Sequence, residues 1–151
     1  MNISKHILVA SLAALSLISC NTHACLTSEN ESNNTESSAN TDVCSNTLIE
    51  GNLGRNDIDW FQFDVSSAGT ISIDLTHHSR DDFDWFLYPS SGGAVASAET
   101  SSSTESGSYQ APSAGTYYLK LTRYSGRGWY DLTISFPEGG VTPPPPPSCD
   151  C

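Results

Sequence analysis

An antiparallel, all-β sandwich of jelly-roll type, with about eight short strands, is what the pattern of this chain specifies. Two-residue alternation of apolar side chains recurs between positions 47 and 136, and clusters of Gly, Pro and Ser bound most of the runs. No stretch beyond the first twenty residues has convincing helical periodicity. A strand with one apolar face must bury it against another layer, and a set of such strands does so as two stacked sheets.

The first strand is expected over 47–53. The second, 59–65, turns Phe61, Phe63 and Val65 inward. The third, 69–77, places Ile71, Ile73 and Leu75 on one face and Ser72, Asp74 and Thr76 on the other. The fourth, 83–88, carries Phe83, Trp85 and Leu87 inward. Two weaker strands follow at 94–100 and 108–111, where the residues are small and polar. The seventh, 115–124, buries Tyr117, Leu119 and Leu121, and the eighth, 128–136, buries Tyr130, Leu132, Ile134 and Phe136. Turn residues separate them at 66–69, 89–93, 112–115 and 125–128.

The ends of the chain differ from this domain. Lys5 and His6 precede a short apolar run, 7–18, that falls short of the roughly 20 residues a spanning helix needs, so residues 1–20 read as an export signal. Leu17, Ile18 and Ser19 before Cys20 have the form of a bacterial lipobox, with Cys20 as the lipidated residue; Thr22, His23 and Ala24 offer an ordinary cleavage site instead. Residues 21–45 form a polar, acidic leader, 46–137 the β-domain, and 138–151 a tail. That tail holds Pro143 to Pro147, a stiff polyproline II spacer, and ends in Cys149, Asp150 and Cys151. With either cleavage Cys25, Cys44, Cys149 and Cys151 remain, which allow three pairings in an oxidising compartment. Cys25 with Cys44 is the expected one, closing the loop that carries the acidic cluster.

The net charge is −11, and every acidic residue lies beyond the export signal. Such a surface disfavours nucleic acid and anionic lipid, leaving a lipid anchor as the only expected membrane contact. Hard oxygen donors concentrate at Glu29, Asn30, Glu31, Ser32, Asn33 and Asn34, and again at Asp57 and Asp59, where two carboxylates open the second strand. Calcium takes about six to eight oxygen ligands, and loops and strand ends can converge them. The competing reading is a solvated linker, since 27–41 is rich in Ser, Thr and Asn and needs something to tie it down.

Four segments taken in order then resemble a known family: Asp57 to Phe63, Phe83 to Tyr88, Ala114 to Leu119, and Tyr130 to Ile134. They are similar to the bacterial pre-peptidase C-terminal domain, a β-sandwich appended to secreted proteases and related to the collagen-binding domains of bacterial collagenases. The resemblance runs from about Glu29 to Phe136. It implies a calcium site in which Glu29, Glu31, Asn33 and Asn34 of the leader join Asp57 and Asp59 of the second strand. Ser32 stands where the relatives usually carry proline, so the leader lacks that restriction.

Trp60, Phe86, Tyr88, Tyr118 and Trp129 fall opposite the inward rows, and exposed aromatics in a patch mark binding surfaces. Tyr124 and Trp129 flank a turn with Arg123 and Arg127, the most basic spot of the domain, where a protein or polysaccharide would dock. The alternative is aromatics that merely cover sheet surface. His77 and His78 point to opposite faces if extended, which argues against their joint ligation of one metal ion. Neither a Gly-x-Ser-x-Gly elbow nor a His-Glu-x-x-His helix is present. A non-enzymatic, exported, calcium-stabilised binding module for extracellular protein or polysaccharide is therefore expected, at the outer membrane or cell surface or secreted. The alternatives are the C-terminal appendage of a secreted peptidase and a plain structural lipoprotein.

Overall fold

A computed structural model describes residues 24–139. The export signal with its lipobox and Cys20, the first two residues of the alternative cleavage site, and the tail with Pro143–Pro147, Cys149 and Cys151 lie outside the described residues.

Eight strands appear: β1 Leu48–Leu53, β2 Ile58–Val65, β3 Gly69–His77, β4 Asp82–Pro89, β5 Ala96–Ala98, β6 Thr104–Ala111, β7 Gly115–Ser125 and β8 Gly128–Ser135. One sheet has the order β1-β8-β3-β6 and the other β2-β7-β4-β5, with every strand pair antiparallel. Successive strands alternate between the sheets for most of the chain, and the result is the double Greek key of a jelly roll.

The inward rows meet between the sheets. Phe61, Ile71, Ile73, Leu75, Phe83, Trp85, Leu119, Leu121, Leu132 and Ile134 are all fully buried there. The alternation expected of β2, β3, β4, β7 and β8 holds along each strand. β5 is shorter than expected and β6 starts four residues earlier, at Thr104 rather than Ser108. β6 pairs with β3 from Thr76–Thr104 to Gly69–Ala111, so cross-strand bonding extends a segment whose own residues favour strand weakly. Gly107 lies over the Trp85 indole, 2.7 Å from where a Cβ would be, and the indole N–H donates to the Glu105 carbonyl at 2.9 Å.

The leader is ordered against the sandwich along the two edge strands β1 and β2. Ser28 bridges Glu50 of β1, and Asn40 bridges Phe61 of β2, both in parallel sense. Among its described residues, a 3₁₀ segment forms at Glu36–Ser38. Covering two edges on one side of the sandwich satisfies backbone groups that would otherwise invite another chain.

Candidate metal centre

β2 begins with a polar residue on its inward row. Asp59 shares the parity of Phe61, Phe63 and Val65, and it is fully buried. At the same end of the core, the inward row of β8 begins with Tyr130, whose ring reaches under β1 because Gly51, its pairing partner, has no side chain. A Cβ on Gly51 would overlap the far end of that ring.

The Tyr130 hydroxyl stands 2.6 Å from Asp59 Oδ2 and 2.8 Å from Glu29 Oε2. It has one proton to donate, so a second positive charge or proton is needed to hold both carboxyl oxygens there. Glu29 Oε1 accepts from the Asn52 N–H at 2.5 Å. Ligand atoms of Glu29, Glu31 and Asp59 lie within 4.8 Å of one another. Glu31 is exposed; it arrives through a cis Glu31–Ser32 peptide, and its Oε2 accepts from the Asn33 N–H at 3.4 Å. Asp57 lies beside Glu31, and its Oδ2 accepts from the Gly54 N–H at 2.9 Å, which fixes the β1–β2 turn.

Carboxylates this close oppose each other's charge. Burial, then the hydrogen bond with Glu29, pushes Asp59 up to about 9. Burial and the Asp57 charge raise Glu31, and burial with the Asp59 charge raises Tyr130 well above the ordinary phenol. Asp59 Oδ1 is buried with no partner, as are Asn33 Oδ1 and Nδ2. Buried acceptors without donors are costly and call for a cation or proton. These residues therefore fit a hard divalent cation. The donors are all oxygen, which suits calcium and not zinc. Glu29, Glu31, Asp57 and Asp59 would supply carboxylate ligands, with Asn33 adjacent through its carbonyl bond to the Trp60 N–H at 3.0 Å. Asn34 is occupied elsewhere, because its Oδ1 accepts from the Ile58 N–H at 3.1 Å, at the start of β2.

Tyr130, Gly51 and Asn40 did not stand out from the pattern of the chain. Tyr130 reads as a core residue, and only its hydroxyl reaches the carboxylates. Asn40 clasps the leader on itself, its amide donating to the Asn30 carbonyl and accepting from the Asn30 N–H, each at 2.8 Å. The inward parity of Asp59 is the signal that was available.

The residues expected to make one binding surface occupy separate places. Across β2, β7 and β4, the outer face carries the row Trp60, Lys120 and Phe86, and beside it Gln62, Tyr118 and Tyr88. Trp60 and Tyr88 have ring centroids 5.5 Å apart, and Lys120 Nζ sits 5.8 Å from Trp60 and 6.0 Å from Phe86. Trp129, 73% exposed, stands on the other sheet, where it walls a cavity of about 420 Å³ with Glu29, Glu31, Asn52 and Asp57. Tyr124 is 79% exposed and borders a third place, beside Asp82, Asp84 and Glu99. Arg123 folds onto its own turn, its guanidinium donating to the Gly126 carbonyl at 2.9 Å, while the Arg127 N–H donates to Asp81 at 3.0 Å. His77 is buried at the end of β3 against Phe83 and His78 is exposed, so the two do point apart.

Fold and site together define a jelly-roll module with an oxygen-lined, carboxylate-rich centre at the edge of its two sheets. Residues 57–123 match the model of the bacterial pre-peptidase C-terminal domain. Among solved structures it is similar to the pre-peptidase C-terminal domain of a collagenase from Bacillus anthracis. Identity is 29% and the TM-score 0.58, over 64% of this chain and 94% of that one. No curated protein matches the sequence. Glu29, Glu31 and Tyr130 lie outside the span of the family match.

Proposed function

We propose that this protein is an exported, non-catalytic accessory module whose leader is held to the sandwich by calcium. The observation that carries this reading is the buried Asp59, with one oxygen unpartnered and the other sharing a single hydroxyl with Glu29. A cation at Glu29, Glu31, Asp57 and Asp59 would offset their mutual repulsion. It would also stabilise the fold by linkage, because the unfolded chain does not gather these groups. The outer-face aromatics Trp60, Tyr88 and Tyr118, with Trp129 apart from them, then serve an extracellular protein or polysaccharide by stacking. Calorimetric titration of calcium into the mature chain tests the reading, alongside a Glu31→Ala, Asp57→Ala double variant. Saturable heat lost in the variant is expected; no heat and no change in melting would leave the leader a linker.

A second reading, the C-terminal appendage of a secreted peptidase, is supported by the near-complete coverage of the collagenase domain. Attachment to the cell surface through Cys20 belongs to either reading. Metabolic labelling with a fatty acid, lost in Cys20→Ser, would test it.

A further inference from the structure

Cys25 and Cys44 bracket the leader and are joined, with Cα atoms 5.4 Å apart and 19 residues of sequence separation. Inside that ring lie Glu29, Glu31 and Asn33; outside it, on or beside β2, lie Asp57 and Asp59. The two flanks of the ring hold different sheets. Near Cys25, the Glu50 N–H donates to the Thr27 carbonyl and the Glu29 N–H to the Glu50 carbonyl, both at 3.0 Å, on the β1 edge. Nearer Cys44, the Asn40 N–H donates to the Trp60 carbonyl and the Gln62 N–H to the Asn40 carbonyl, both at 2.8 Å, on the β2 edge. Beside the disulfide, the Leu26 N–H donates to the Asp42 carbonyl at 2.9 Å and ties the flanks together.

The half of the metal centre that contains Glu29 and Glu31 is thus positioned by a ring that the disulfide closes. Without it, the segment between Cys25 and Cys44 is no longer a closed ring, and cation binding must order it at an entropic cost. We propose that the Cys25–Cys44 disulfide and the calcium centre are two coupled fasteners of one latch, an inference that rests on the calcium reading above. Reduction weakens calcium binding, and by reciprocity calcium makes the disulfide harder to reduce by the same factor. Cys25 is exposed and Cys44 half-buried, so a small dithiol reaches them. One thiolate of the dithiol attacks a sulfur of the pair, breaking the S–S bond and forming a mixed disulfide. The second thiol displaces it; Cys25 and Cys44 take up two electrons and two protons, and the reagent leaves as its cyclic disulfide.

The test measures calcium affinity of the mature chain by calorimetry before and after reduction with dithiothreitol. For a ring of this size the reduced form should bind on the order of tenfold to a hundredfold more weakly. Mass mapping of the Cys25 and Cys44 peptides in a dithiol redox buffer, with calcium and with chelator, should show the equilibrium shifted by that same factor. A Cys25→Ser, Cys44→Ser variant should reproduce the weaker affinity while the fluorescence of the buried Trp85 is unchanged. Equal affinity in both redox states would overturn the coupling and leave the calcium reading standing. No binding to the oxidised protein would overturn both. Loss of the core fluorescence on reduction with calcium present would also overturn the latch, since the disulfide would then hold the whole fold.

Discussion

The hydroxyl of Tyr130 lies 2.6 Å from Oδ2 of Asp59, joining the first inward residue of β8 in one sheet to the first of β2 in the other. Most contacts across the sandwich are apolar and interchangeable, whereas this one is directional. It brings a carboxylate into the core row at the end of the sandwich where Glu29 of the leader reaches it.

Tyr130→Phe should cost the calcium-free protein about 1–3 kcal/mol, the usual penalty for leaving a buried polar group unsatisfied. Asp59 Oδ2 and Glu29 Oε2 would both lose the hydroxyl that contacts them. Urea unfolding in chelator measures this. An unchanged midpoint would mean that the hydroxyl links nothing.

Stability of the calcium-free protein should fall as pH rises. Asp59 titrates at about 9 when folded, against an ordinary value of 3.8. Between those values the folded chain retains a proton that the unfolded chain has lost, so the folded state binds more protons and loses ground with pH. The steepest slope is about 1.4 kcal/mol per pH unit. Melting temperatures in chelator from pH 4 to 9 should decline, and Asp59→Asn should flatten the decline. A rising curve would contradict the burial of this carboxyl group.

Gly51→Ala places a methyl group where the Tyr130 ring passes. Overpacking of this kind costs typically about 1–3 kcal/mol, and here the ring end that contacts Glu29 and Asp59 must also move. Calcium affinity and thermal stability should therefore fall together. A loss of stability with affinity unchanged would separate the ring from the centre.

Asp84 lies away from the leader. Burial, then the charges of Asp82, Glu99 and Glu105, raise it to about 6 from 3.8. Its proton is held in the folded state between those values, so its ionised form opposes folding above pH 6. Because the group is only half-buried and solvent screens its charge, Asp84→Asn should stabilise by no more than about 1 kcal/mol at pH 7.5 and have little effect at pH 4. Denaturant midpoints at the two pH values would show it, and a loss of stability at pH 7.5 would refute it.

The strand set, the inward rows and the jelly roll were legible in the chain because alternation is local. A residue's parity within its own strand decides which side it faces. The weak strands were the least legible: β6 owes its early start at Thr104 to pairing with β3, a partner far away in sequence. The carboxylates of the leader and of β2 were legible as donors, since residue type declares an oxygen ligand. What only the tertiary structure decided was how they meet. Tyr130 joins Glu29 across 101 residues of sequence, through a gap that exists because Gly51 pairs with Tyr130 and has no side chain. The same holds for the aromatics: parity put Trp60, Tyr118 and Trp129 outside, and sheet order sent the first two to one face and the third to the other. Periodicity records which face a residue takes, but distance between faces depends on strand order, which the long-range pairing sets.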